Sequence, residues 1–185
     1  MRTLVATLLF ASPLLAAPPG DIPFQVPPGF VAEKIAGPPL VEHPVFACFD
    51  NRGRLYVADN AGKNLKAEEL LKELPNCIRL LEDTKGAGVF DKSTIFADKL
   101  SMPMGVLWHD GFVYTCSPPS LWRFNEKGER TELVTKFGFT GNAADIHGPF
   151  LGPEGRLWWT DGRHGHEIRR ADGSTMKGKA ARIFR

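Results

Sequence analysis

FDNRGRLYVAD (residues 49–59), LWHDGFVYTCS (107–117) and LGPEGRLWWTD (151–161) superpose on their glycines, Gly53, Gly111 and Gly155. In each, an apolar approach meets a polar turn of two or three residues that closes on glycine, and apolar and aromatic residues then resume. Leu55, Val113 and Leu157 fall in register, as do Tyr56, Tyr114 and Trp158. Glycine at the last turn position suits a tight hairpin, where positive φ is needed and a Cβ hinders it. Each segment therefore predicts a strand, a turn and a second strand.

Two further strands follow each of the first two hairpins. SLWRF (120–124) and ERTELVTKF (129–137) turn about Lys127-Gly128, while NCIRLLED (76–83) and STIFADKL (93–100) follow Leu55. The unit is thus four strands, with marker glycines 58 and 44 residues apart. NLKAEELLKEL (64–74) explains the longer spacing: Leu65, Leu70, Leu71 and Leu74 give one apolar face, predicting a short inserted helix. Four-stranded units of ~40–50 residues are the signature of β-propeller blades. The expected fold is all-β: a lead-in strand over 30–36, two blades and about half of a third. Propellers close with about 4–8 blades, and an open arc exposes sheet edges. Residues 18–185 are therefore expected to be the N-terminal portion of a longer propeller, inactive alone.

Residues 1–17 read as an export signal. Met1 and Arg2 precede an apolar run from Leu4 to about Ala16, shorter than the roughly 20 residues a membrane span requires. Cleavage near Ala16 or Ala17 removes Arg2 and lowers the formal charge from +2 to +1. The expected location is the periplasm or cell envelope. With 23 Lys+Arg against 21 Asp+Glu, the charge balance points away from nucleic acid. Cys48, Cys77 and Cys116 fit no zinc or haem spacing, and their apolar surroundings predict buried free thiols.

Chemistry concentrates in GNAADIHGPFLGPEGRLWWTDGRHGHEIRR (141–170). By the glycine alignment His147 begins the third unit's first strand, where Pro103 begins the second's and Pro44 or Val45 the first's. A titratable residue thus replaces an apolar one at the end of a channel-lining strand. Asp145, two residues earlier, lies on the same side of an extended segment and could fix the tautomer of a general base. A structural Asp–His pair closing a turn is the alternative. Beyond the next strand, His164 and His166 alternate toward one side, and Arg163 could hold an anion. No metal-ligand spacing is present, and these residues could equally form a solvated polar loop.

PPGFVAEKIAGPPLVEHPVFACFDNRGRLYVAD (27–59), MPMGVLWHDGFVYTCSPPSLWRF (102–124) and GFTGNAADIHGPFLGPEGRLWWTDGRHGHEIRR (138–170) resemble the N-terminal part of the membrane-bound dehydrogenases of planctomycetes and verrucomicrobia. Those are similar in turn to quinoprotein glucose and sorbosone dehydrogenases, most strongly here from Asp145 to about Gly165. The resemblance implies a six-bladed propeller holding pyrroloquinoline quinone and Ca²⁺ above its channel. A catalytic His takes a sugar hydroxyl proton while hydride passes to the quinone. His147 resembles that base and Asp145 its acidic neighbour. Asn142, Arg163, His164 and His166 would line the substrate or cofactor mouth, and a cytochrome could accept the electrons. In EDTKGAG (82–88), Lys85 and Ala87 stand where relatives carry acidic residues, which disfavours calcium there. Two other readings remain: a non-catalytic propeller binding a glycan or protein, with Trp122, Trp158 and Trp159 for packing or stacking, and a lactonase-like propeller hydrolase.

Overall fold

The computed structural model describes residues 25–169, 172–180 and 182–185; the expected signal, 1–17, lies outside them. The chain divides into two units, residues 1–34 and 35–185. In the first, the Phe30 amide donates to the Pro27 carbonyl at 3.1 Å across a turn. The expected lead-in strand does not form, and residues 30–36 carry no strand pairing. Its Ala, Glu and Lys are poor strand formers, and Gly37-Pro38-Pro39 follows with two missing amide donors.

Among its described residues the second unit is all-β apart from one helix. Its first sheet is an antiparallel meander of β1 (Pro44–Phe49), β2 (Leu55–Asp59), β3 (Asn76–Glu82) and β4 (Lys92–Leu100). The second repeats the pattern with β5 (Leu107–His109), β6 (Phe112–Ser117), β7 (Ser120–Phe124) and β8 (Arg130–Val134). Strand β5 starts at Leu107 rather than Pro103, because Pro103 offers no amide and Gly105 sits at φ 149°. The third sheet departs from expectation. Strand β9 (His147–Leu151) pairs with β10 (Leu157–Thr160), but the other neighbour of β10 is β13 (Ile183–Phe184). Strands β11 (His166–Arg169) and β12 (Thr175–Gly178) form a separate hairpin between them.

That hairpin occupies the connection that α1 (Ala67–Glu73) occupies in the first sheet. The helix is shorter than its apolar pattern predicts. It opens with the Lys66 amide donating to the Glu69 carboxylate at 2.9 Å, and ends where Leu74 turns left-handed before Pro75. Only Leu70 is buried in it; Leu71 is exposed.

The turns follow from side-chain chemistry. At Asp50, Asn125 and Gly152 the amide donates to the carbonyl four residues on, and the glycine three residues on donates back. Gly53, Gly128 and Gly155 take φ of 76°, 78° and 74° there. Asp50 and Asn125 add side-chain acceptors: Asp50 Oδ1 takes the Arg52 and Arg54 amides at 2.8 and 2.9 Å, and Asn125 Oδ1 takes Lys127 and Glu129 at 3.0 Å. Asp110-Gly111 instead forms a two-residue turn with both φ positive, 50° and 81°, as a type I′ hairpin requires.

Burial raises the Asp50 pKa, but the amide and guanidinium of Arg54 and the amide of Arg52 outweigh it and hold the carboxyl below its ordinary range. A lowered folded-state pKa gives stability that is present above the unfolded value and lost as pH falls through the folded one. Urea midpoints should therefore decline below about pH 4. Asp50→Asn should flatten that decline, and an unchanged profile would remove the turn from the account.

Cores alternate with sheets. Leu55, Val57 and Leu81 pack with Val41 on one face of the first sheet. On its other face Tyr56, Ile78, Ala97 and Leu100 meet Val106, Val113 and Phe124 of the second. Cys116 and Leu121 then pack with Ile146, Phe137, Trp159 and Ile168. Strand β2 is consequently buried on both faces. The first strands are neighbours in series, β1 against β5 and β5 against β9.

All three cysteines are free; Cys116 is buried, whereas Cys48 and Cys77 are only half-buried. Burial lifts the Cys48 thiol to about 11 and raises Cys77 and Cys116 as well. Since the thiolate is the reactive species, iodoacetamide at pH 8 should label the native protein at least about 10-fold more slowly than the urea-unfolded chain. Equal rates would contradict this burial. Among the described residues no helix is long and apolar enough to cross a membrane.

Candidate functional site

Strand β9 opens at His147, and its pairing with β10 carries an irregularity: Trp158 faces Phe150, while Thr160 faces His147. One extra residue is accommodated on β9 at Gly148–Pro149. Such a bulge bends the strand and re-aims the side chain beside it. The His147 ring is thereby placed on the wall of an open cavity of about 470 Å³. Asp145, Thr160, Gly162, Arg163, Arg182 and Ile183 are among the other lining residues.

His147 Nδ1 lies 2.8 Å from the Asp145 backbone carbonyl. A carbonyl only accepts, so the ring proton is assigned to Nδ1 and Nε2 is left as the basic nitrogen. Among the described residues nothing hydrogen-bonds to Nε2. Asp145 thus holds the His147 ring through its main chain rather than through its carboxylate.

The Asp145 carboxylate serves its own loop. It is fully buried and accepts the amides of Gly141 and Asn142 at 2.9 Å and of Thr140 at 3.2 Å. The local sequence explains this turn inward: FTGNAAD supplies three consecutive amides within five residues of the acid. The loop is held from outside at two points. Gly141 (φ 79°) lies so close to α1 that an added Cβ would sit 3.1 Å from Leu70. Gly162 (φ 63°) lies under the Ala144 carbonyl, where any Cβ would collide, and the Arg163 amide donates to that carbonyl at 2.9 Å.

The remaining sequence candidates divide. Arg163 lines the His147 cavity, whereas Asn142 lines a neighbouring one of about 320 Å³ with His43, Asn60 and Lys63. Ala143 borders both. His164 lines neither: its Nε2 accepts from Arg163 Nε at 3.1 Å, next to the Thr140 hydroxyl at 3.0 Å. It lies 4.0 Å from the Asp145 carboxylate. His166 turns away from His164 altogether. Its Nδ1 bonds Asp161 Oδ2 at 2.7 Å with both side chains fully buried, among Phe137 and Phe184. Alternation failed here because the intervening Gly165 (φ 72°) is not extended. Asp161 also accepts the Arg182 amide at 2.6 Å, which fixes the start of β13.

Thr160, Arg182 and Ile183 were not anticipated at the cavity. Recognising RIFR (182–185) as the strand beside β10 would have brought Arg182 and Ile183 there. The tryptophans do not line it. Trp159 is buried and stacked on Phe184 at 5.5 Å, Trp158 donates to Glu154 at 2.9 Å, and Trp122 donates to the Ser117 carbonyl at 3.2 Å.

A family described as a domain of unknown function, DUF7133, matches residues 22–185. The chain belongs to that family. A search of curated proteins gave no match. The DUF7133 match takes in every residue of the cavity lining.

Calcium does not fit the described residues of this DUF7133 chain. The carboxylate at the cavity, Asp145, is committed to loop amides, and among the described residues no group of three or more His, Cys, Asp or Glu could hold a metal. In the 82–88 loop the Asp83 carboxylate takes the Ala87 and Gly88 amides, at 3.0 and 2.7 Å. The Lys85 ammonium lies 3.4 Å from Asp91. Nor does the cavity lining include an aromatic side chain, apart from His147, to stack a fused quinone.

Proposed function

We propose that this chain belongs to an exported propeller dehydrogenase acting on a sugar or another small alcohol, with His147 as the base that accepts the hydroxyl proton. The observation that carries this reading is the imidazole on the cavity wall, its Nδ1 held at 2.8 Å by the Asp145 carbonyl so that Nε2 is basic. A fixed tautomer and orientation are what general-base catalysis requires of a histidine. Thr160 and Arg163 flank the space in which a hydroxyl would be presented.

The blade architecture is supported by two successive four-stranded meanders, by cores that alternate with sheets, and by the serial neighbourhood of β1, β5 and β9. His147 then stands at the start of an innermost strand. Oxidation also needs a hydride acceptor. Pyrroloquinoline quinone with Ca²⁺ serves in the dehydrogenases the sequence resembles, and the described residues build no site for that pair.

The test is dye-linked oxidation of a panel of sugars and small alcohols by the full-length protein, with and without added quinone and Ca²⁺. Turnover that is lost in His147→Gln supports the reading. Turnover unchanged by that substitution, or absent with every acceptor, overturns it.

A further inference from the structure

The three sheets pack in one direction, and the third leaves its forward face open. Counting from the turn glycine of each sheet, residues two and four places on point back toward the element before it. Leu55 and Val57 pack with Val41, Val113 packs on the first sheet, and Trp159 packs on Cys116 and Leu121 of the second. Residues three and five places on point forward: Tyr56, 2% exposed, onto the second sheet, and Cys116, 0% exposed, onto the third. Trp158 and Thr160 hold those places in the third sheet, where no sheet follows among the described residues. Strand partners share a face, so Phe150 lies beside Trp158, and His147 and Ile183 lie beside Thr160. Phe150 is 57% exposed there and Ile183 72%. An apolar face of this kind marks an interaction surface.

We infer that this face receives a further β-sheet of the same polypeptide, which presents apolar residues two and four places past its own turn glycine and closes the open side of the His147 cavity. The two sheet-to-sheet interfaces already formed continue onto the face in register. Each is made with the sheet that comes next in the chain, so the same polypeptide supplies this one. A second copy of residues 35–185 lacks the matching surface. The backward face of its first sheet is covered by Val41, Leu40, Ala36 and Phe90, and those of the other two by the sheets before them. His147, Thr160 and Ile183 line the cavity and lie on this face, so the docked sheet becomes the wall opposite the imidazole. A catalytic use of that wall rests on the functional reading above; the packing does not.

The experiment is thiol labelling of the full-length protein carrying Ile183→Cys, with Lys127→Cys on an exposed turn as the reference. Uptake of N-ethylmaleimide is read peptide by peptide, which separates the probes from Cys48, Cys77 and Cys116. Ile183→Cys should react at least about 10-fold more slowly than Lys127→Cys, because a covered site reacts only through opening. The difference should vanish once urea unfolds the chain. Phe150→Cys, on the other side of β10, gives the same reading if the first variant disturbs β13. Probes that react as fast as the reference in the folded protein would overturn the proposal. Protection that fades on about 100-fold dilution would also overturn it, since a second copy then covers the face. Protection combined with His147-independent turnover would leave this inference standing and remove the base assignment; freely reacting probes with His147-dependent turnover would do the reverse.

Discussion

Replacing His147 by glutamine should lower turnover by about 10²–10⁴-fold, the range a positioned general base supplies, with little change in melting temperature. Glutamine preserves a donor that can meet the Asp145 carbonyl, so the β9 bulge and the loop behind it should be kept. Only the basic nitrogen disappears. The ring is part-exposed at the cavity, so no buried core atom is removed. The check is a steady-state split: kcat should fall while KM for the hydroxyl substrate moves by less than about threefold. A variant that loses stability rather than kcat would mean that the histidine closes a turn and does no chemistry.

Asp161→Ala should be the most damaging single change to the fold, costing about 3–5 kcal/mol. Its carboxylate is fully buried and takes two donors, His166 Nδ1 at 2.7 Å and the Arg182 amide at 2.6 Å. Alanine would strand a buried imidazole N–H and a backbone N–H together. Among the described residues His166 Nε2 is already buried without a partner, so they offer the ring no alternative bond to fall back on. Urea denaturation at pH 7 measures the loss. A change below about 1 kcal/mol would show that the pocket rearranges around the gap.

Much of the fold was legible because glycine turns and apolar alternation are local signals. Gly53, Gly111 and Gly155 do hold positive φ, and the first two units are the four-stranded meanders their spacing suggested. The third unit was not legible, because strand partnership is decided across the chain. Ile183 sits beside Thr160 through the pairing of β13 with β10, the Asp161–Arg182 bonds and the Trp159–Phe184 stack, which no short-range pattern announces. The candidate site was read in the same uneven way. His147 was visible as a titratable residue at a strand start. Proximity of Asp145 was visible too, but which of its oxygens met the ring was not: a side chain surrounded by three nearby amides satisfies those first. His166 was misplaced because an alternation rule assumes extended backbone, and Gly165 breaks it.

The connection between the second and third strand of each sheet has three forms: Pro118-Pro119 in the second, residues 60–75 with a helix in the first, and residues 161–182 with a hairpin in the third. Lengthening a loop costs only about 0.6 kcal/mol per doubling, so the sheets tolerate all three. The two long forms meet at the loop of residues 140–145, α1 at Gly141 and the segment after Asp161 at Ala144. The wall of the cavity can therefore change by insertion and deletion at one recurrent junction while the strands around it stay fixed. Exchanging the hairpin for a shorter link would be a way to retune the cavity that leaves His147 in place.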